Sequence, residues 1–175
     1  YFLAFYMRMT GMFPPRHFRL IAALAEALES DEIDRAMLFA PPRHIKTLGI
    51  STLFPAWIMG RHPSTKIMSV VHTDRYAKKV GKNVRNLLRG PSWPFDAAVA
   101  PFEEVALAED SQAKEQWATP QGGEYNGFGM FGGNQHGNPA EWLFMDDVIK
   151  GRKIALSAHM RDEAWETYKA DLLSR

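Results

Sequence analysis

The chain contains no cysteine, so disulfide bonds and cysteine-ligated zinc sites are excluded, and a reducing compartment is the simple expectation. No apolar run approaches the roughly 20 residues that a membrane-spanning helix requires, so no membrane partner is expected. The six histidines are scattered and show no metal-binding spacing. The net charge is only +1, which means that any contact with nucleic acid has to come from a local patch.

The apolar residues that are present suffice for one hydrophobic core. The 175 residues are 46% hydrophobic and 12% aromatic, which fits a single folded domain over residues 1–175. Helical and strand patterns alternate along the chain. This alternation predicts an α/β protein with a mainly parallel sheet and helices on both faces.

The predicted elements follow from apolar periodicity and from proline and glycine positions. The predicted helices cover Pro14–Glu29, Thr47–Met59, Asp74–Leu88 (with Asp74 as N-cap) and Ala155–Leu173. The predicted strands cover Arg35–Phe39, Lys66–Val71, one or two segments within Val105–Thr119, a hairpin or bulged strands within Gly122–Gly133, and Glu141–Met145. Loops are expected at Gly90–Pro101 and Asn134–Pro139.

A phosphate-binding loop is the most informative motif. The apolar segment Ala36–Phe39 runs into a loop that ends in Lys46 and Thr47, and an apolar helix follows. P-loop ATPases use this order to arrange backbone N–H groups, a lysine and a hydroxyl around a triphosphate. Lys46 would bridge the β- and γ-phosphates, and Thr47 would offer its hydroxyl to magnesium. The general Walker A pattern also has glycines where this chain has Ala40 and Ile45.

A second motif, which is acidic, lies about a hundred residues further along the chain. Asp146 and Asp147 follow the apolar segment Glu141–Met145. This is the Walker B arrangement, in which Asp146 would hold the magnesium through its water shell and Asp147 would orient or activate the attacking water. Arg43 either reaches a phosphate oxygen or forms a structural ion pair. Because ligands of α/β sheets bind at the carboxyl ends of strands, the loop and the acidic pair are expected to meet there.

The predicted helix Asp74–Leu88 is amphipathic, with a basic face. Two interpretations of this face remain open. It is either a solvated surface on a packed helix, or a stripe that contacts a phosphate backbone or a neighbouring subunit. The DNA-contact candidates are Lys78, Lys79, Lys82 and Arg85.

The loop and its surroundings resemble the large subunit of phage terminases. The segment Pro41–Thr47 (Pro-Pro-Arg-His-Ile-Lys-Thr) is similar to the family's deviant P-loop, P-P-R-H-G-K-[ST]. The family pattern continues in order along the chain: Tyr6-Met7, His17, Arg35, Phe54-Pro-Ala-Trp57, Gly60-Arg-His-Pro63, Ser111–Thr119, Gly122 to Tyr125, Gly129 and Gly132, Asp146–Lys150, Ala155 and Ser157, Arg161, Trp165 and Tyr168.

The resemblance implies a P-loop NTPase-like domain that hydrolyses ATP with Mg²⁺ and drives double-stranded DNA into a viral capsid. The ATP-binding residues would be Pro41, Pro42, Arg43, His44, Ile45, Lys46 and Thr47. The implied partners are double-stranded DNA, the portal protein, the small terminase subunit and further copies of the chain in a ring, at the procapsid in the host cytoplasm. It also implies an incomplete ATPase domain, truncated at its C-terminal end before the family's coupling motif and nuclease domain.

Two departures from the family pattern bear on activity. Ile45 stands where the family has glycine. At a position with φ > 0 it would cost at least about 1–2 kcal/mol in strain. In Asn134–Pro139, Gly137 matches the family's loop, but Asn138 stands in place of its arginine. The alternative function is therefore an inactive remnant that keeps the fold and binds nucleotide poorly. Another P-loop enzyme, such as a helicase or nucleotide kinase, is disfavoured because the loop is not glycine-rich.

Overall fold

The computed structural model describes residues 1–41, 44–90, 107–132 and 137–172. In these ranges the elements follow in this order: α1 (Phe2–Thr10), α2 (Arg16–Glu29), π-helix π1 (Thr47–Leu53), α3 (Phe54–Arg61), β1 (Lys66–Val71), α4 (Asp74–Leu88), β2 (Gln116–Ala118), β3 (Glu124–Gly129), β4 (Trp142–Asp146), α5 (Arg152–Leu156), α6 (Ala158–Thr167) and π-helix π2 (Tyr168–Leu172).

The four strands form one mixed sheet in the order β2-β3-β1-β4. Strand β1 is central and pairs in parallel with both β3 and β4. Strand β2 lies antiparallel on the outer side of β3. The two are joined by a tight turn, in which the Thr119 N–H donates to the Gly123 carbonyl at 2.9 Å. The predicted α/β class is therefore confirmed, and the sheet is mixed.

Side-chain alternation in β1 places apolar side chains on both faces of the sheet. Ile67 joins a large core with α1, α2, α3 and α4, in which the rings of Phe2 and Trp57 lie 5.2 Å apart. Met68 and Val70 join a smaller core that includes Ala164 of α6. Helices therefore cover both faces, as the sequence predicts.

The prediction of a first strand at Arg35–Phe39 is wrong. This segment belongs to no strand, and Met37 and Phe39 are 86% and 90% exposed. Its apolar composition favours strand backbone, but a strand also needs a neighbour for its hydrogen bonds and a surface to cover its side chains. Strands β1, β3 and β4 pair among themselves, and the phosphate-loop motif therefore does not follow a strand of the described sheet.

The predicted helices are largely confirmed, with four changes in detail. The helix from Thr47 begins as π1 and continues through α3. The N-cap of α4 is Thr73, whose Oγ1 accepts the Tyr76 N–H at 3.4 Å, and Asp74 is the first helical residue. The C-terminal helix is divided at Ser157, whose hydroxyl caps α6 by accepting the Met160 N–H at 3.4 Å. Arg152, rather than Ala155, begins the first of its pieces.

The predicted strands at Lys66–Val71 and Glu141–Met145 are confirmed within a residue as β1 and β4. Of the region Val105–Thr119, the described part contains β2. The glycine-rich segment is expected to form a hairpin or bulged strands within Gly122–Gly133, but its described residues contain the single strand β3, which forms a hairpin with β2 from outside the segment. Parts of some predicted elements lie outside the described residues. These are residues 91–101 of the first predicted loop, residue 133 of the glycine-rich segment, residues 134–136 of the second loop and residue 173 of the last helix.

Candidate functional site

The lysine of the loop and the acidic pair meet at the carboxyl end of β4. The Lys46 Nζ lies 3.0 Å from Asp146 Oδ1 and 2.8 Å from Asp147 Oδ1. These residues are about a hundred positions apart in the sequence. The predicted meeting of the two motifs is therefore confirmed. Lys46, however, lies directly before π1 and does not follow a strand.

Two hydroxyl groups complete the contacts of Asp146. Its second oxygen, Oδ2, accepts hydrogen bonds from Thr47 Oγ1 at 3.0 Å and from Ser51 Oγ at 2.7 Å. Thr47 and Ser51 are four residues apart in π1, so both side chains point to the same side of the helix. Thr47 is among the residues predicted from the sequence and Ser51 is not, although the four-residue spacing of the two hydroxyls is a usable signal.

The two carboxylates of the pair differ in their surroundings. Asp146 is 7% exposed, whereas Asp147 is 66% exposed. Burial disfavours the charged form of Lys46, but hydrogen bonds to Asp147 and Asp146 outweigh it and raise the pKa of the lysine above its ordinary 10.5. Lys46 is therefore a cation at neutral pH, and Asp147 is the carboxylate that solvent or a ligand can reach.

Two non-glycine residues of the site have left-handed backbone. Ile45 has φ 65° and Asp147 has φ 46°. A β-branched residue is especially unfavourable in this region, because its Cβ substituents crowd the backbone. The family's glycine at the position of Ile45 would adopt the same conformation without strain.

His72 also lies at the site, although it is not among the residues predicted from the sequence. It follows β1, and its ring stacks on Tyr76 with centroids 4.7 Å apart. Burial and the charge of Lys150 lower the pKa of His72 below its ordinary 6.5, although Asp147 acts in the opposite direction. The signal that would have found His72 is its place directly after the strand that neighbours β4.

Residues at the start of the loop line a cleft beside Lys46. Leu38, Phe39, Ala40 and Pro41 form an open cleft of about 330 Å³ with Lys46. The ring of His44 faces that of His17 at 5.3 Å. Pro42 and Arg43 lie outside the described residues.

The basic face of α4 is partly occupied by contacts with the chain itself. Lys78 forms an ion pair with Glu115 at 3.0 Å, and Arg85 donates to the backbone carbonyl of Gln112. Lys79 and Lys82 are exposed. Of the four candidate DNA contacts, Arg85 therefore serves the fold, Lys78 is paired, and Lys79 and Lys82 project to solvent.

The described residues contain no group of three or more His, Cys, Asp or Glu side chains that could hold a metal ion. Magnesium in nucleotide sites takes one or two carboxylates, with the other ligands coming from phosphates and water. Asp146 and the Thr47 hydroxyl supply oxygen ligands of this kind, so their chemistry fits such an ion. In the same described part of the chain, no helix has both the length and the apolar character that crossing a bilayer requires.

Comparisons of the chain with protein-family models, with curated proteins and with solved structures found no match. Any functional proposal therefore depends on the motifs and on the geometry of the site.

Proposed function

We propose that this chain is the ATPase region of a phage terminase large subunit, with a P-loop NTPase-like fold. The observation on which the proposal depends is the contact of Lys46 and Thr47 with Asp146 and Asp147. A Walker A lysine and hydroxyl next to a Walker B acidic pair is the arrangement that phosphoanhydride hydrolysis uses. The ordered resemblance along the chain supports the particular family.

In this proposal each side chain has a defined role toward Mg²⁺ and ATP. Lys46 binds the β- and γ-phosphates. To do so, it breaks its contact with at least one of Asp146 and Asp147. Thr47 and Asp146 would hold the magnesium, which would neutralise phosphate charge. Asp147 orients the attacking water and accepts its proton as the bond to the γ-phosphorus forms and the bond to ADP breaks. Arg43 is assigned to a phosphate oxygen or to a structural ion pair.

The family resemblance extends the proposal to a packaging motor. The chain would act in a ring with further copies of itself, docked on the portal protein of a procapsid in the host cytoplasm. The small terminase subunit and double-stranded DNA are the other proposed partners. Lys79 and Lys82 are the strongest DNA-contact candidates, because both are exposed and neither is in an ion pair within the described residues.

A second candidate function is a terminase remnant that keeps the fold but binds nucleotide poorly. The positive φ of Ile45 favours it, since strain next to Lys46 disfavours a loop that must close on phosphates. Both candidates share the fold and differ in nucleotide affinity and turnover.

Nucleotide binding and ATP turnover of the chain and of Ile45→Gly distinguish the two. We expect Ile45→Gly to bind ATP more tightly, because glycine removes a β-branched side chain next to Lys46 and lets the backbone N–H groups approach the phosphates. Lys46→Ala in the Ile45→Gly background should abolish the gain. Turnover in the Ile45→Gly variant would support the motor, whereas equal and undetectable binding in both proteins would contradict it and leave the remnant.

A further inference from the structure

The cleft beside Lys46 combines one cation with apolar side chains. Leu38, Phe39, Ala40 and Pro41 line it together with Lys46, and its volume is about 330 Å³. Small-molecule sites in proteins have volumes of about 300–1,000 Å³ and are mostly apolar, with a few polar groups that fix the orientation of the ligand. The cleft therefore suits part of a ligand that has both an anionic end and an apolar end.

The ring of Phe39 is the feature of the cleft that a ligand can cover. Phe39 is 90% exposed. The side chain before it, Leu38, packs against the large core, so the segment that carries the ring is anchored to the protein. An exposed aromatic ring offers a flat apolar face to a planar group, and removing both faces from water is favourable. Phe39 is therefore held at the cleft with its ring accessible to a ligand.

The charged end of the cleft belongs to the proposed phosphate site. Lys46 lines the cleft, and its Nζ lies 3.0 Å from Asp146 Oδ1 and 2.8 Å from Asp147 Oδ1. One side chain thus joins the cleft to the acidic pair, where the proposed function assigns the phosphates and the magnesium. A ligand bound through its phosphates at Lys46 has the apolar side chains of the cleft next to it.

We propose that this cleft is the base-binding subsite of the nucleotide site, and that the base stacks on the ring of Phe39. The ligand is a nucleoside triphosphate whose phosphates bind Lys46, so the inference rests on the proposed function and adds a second point of contact to it. Every base has a π-face, which makes stacking on an aromatic ring tolerant of base identity. Phe39 therefore contributes affinity for a nucleotide and not a choice among bases.

Inorganic tripolyphosphate tests the two ends of the site separately, because it carries the phosphates of ATP without the base. The affinities for ATP and for tripolyphosphate, each with Mg²⁺, are measured by calorimetric titration of the chain and of Ile45→Gly. In the background that binds, we expect Phe39→Ala to weaken ATP binding by about fivefold to a hundredfold, as the loss of one base–aromatic stack does. Its affinity for tripolyphosphate should be unchanged. Phe39→Trp keeps an aromatic face and should keep most of the affinity for ATP.

Met37→Ala is the matched control. Met37 is 86% exposed on the same segment and is not among the residues that line the cleft, so its substitution should change neither affinity.

Three results would overturn the base subsite and leave the proposed function standing. These are an unchanged ATP affinity in Phe39→Ala, an equal loss of affinity for ATP and tripolyphosphate, and an effect of Phe39→Ala only on self-association in sedimentation, which would make the ring a contact between copies. If neither ligand binds in either background, the proposed function fails and the base subsite fails with it.

Discussion

At the scale of single residues, the buried carboxylate of Asp146 depends on the hydroxyl groups beside it. Ser51 is 1% exposed, and its hydroxyl makes the 2.7 Å hydrogen bond to Oδ2. Ser51→Ala removes a donor from a charged group that solvent cannot reach, which costs about 1–3 kcal/mol. We expect this loss in the free energy of unfolding measured with urea.

Ser64→Ala is the matched control for Ser51→Ala. Ser64 is exposed, so its substitution should change the free energy of unfolding by no more than about 0.5 kcal/mol. Equal effects of the two substitutions would show that the hydroxyl of Ser51 does not support Asp146.

Some residues of the site can be predicted from the sequence more readily than others. Lys46, Thr47 and the acidic pair could be predicted, because their chemistry depends on residue type and on adjacency along the chain. Ser51 and His72 carry only weak local signals, a hydroxyl four residues after Thr47 and a place directly after a strand, which gain meaning once the fold brings them near the acidic pair. The sequence predicts strain at Ile45 only if its φ is positive. The φ of 65° in the structure is positive.

At the scale of elements, α4 is closely fitted to the segment before β2. A Cβ added to Gly81 would lie 2.5 Å from the backbone carbonyl oxygen of Lys114. Alanine favours helix over glycine by about 1 kcal/mol, but this contact requires α4 to move away from that backbone. We therefore expect Gly81→Ala to destabilise the protein by about 1–3 kcal/mol in urea unfolding.

Asn83→Ala provides the control on the same helix. Asn83 is exposed, so alanine should leave stability unchanged or raise it slightly through helix propensity. A stabilising Gly81→Ala would contradict the close packing of α4 on residue 114.

The ends of α2 and α3 are joined by Glu29. Its Oε1 accepts from Arg61 Nε at 2.6 Å and contacts His62 Nε2 at 2.9 Å. Burial alone would raise the pKa of Glu29, but the partners His62 and Arg61 outweigh it and lower the pKa below its ordinary 4.5. A lowered pKa in the folded state means that the stabilisation is present above pH 4.5 and is lost as the pH falls through the folded value.

The stability difference between the wild type and Glu29→Gln should therefore shrink as the pH falls below 4.5. Denaturant unfolding at several pH values measures this difference. A difference that grows on acidification would contradict the assigned role of Glu29.

Periodicity predicted elements well where the element buries a face, as in α2, α4, β1 and β4. It failed at Arg35–Phe39, where an apolar run has no partner strand among the described elements. Strand formation depends on hydrogen bonds to distant residues, and a local pattern cannot specify them. The π-helical start of the helix after Lys46 has no sequence signal that we can identify.

At the scale of the whole molecule, β1 organises both the fold and the site. Its two faces contact the two cores, and its parallel neighbour β4 ends at the acidic pair. The α/β class could be derived from the sequence, because alternating elements follow a general rule. The meeting of the two motifs is predicted at strand ends, but only the acidic pair lies at one, since Lys46 follows no described strand. The antiparallel edge strand β2 makes the sheet mixed, and its pairing depends on the tight turn before β3.

The most direct test of the central claim is a titration of ATP, with and without Mg²⁺, into Ile45→Gly and into Ile45→Gly carrying Asp146→Asn. If Lys46 and the acidic pair together form a site for Mg²⁺ and ATP, Ile45→Gly will bind ATP more tightly when Mg²⁺ is present. Asp146→Asn will remove that Mg²⁺ dependence in a protein that remains folded. Undetectable ATP binding by Ile45→Gly, or a Mg²⁺ dependence that survives Asp146→Asn, would contradict the account.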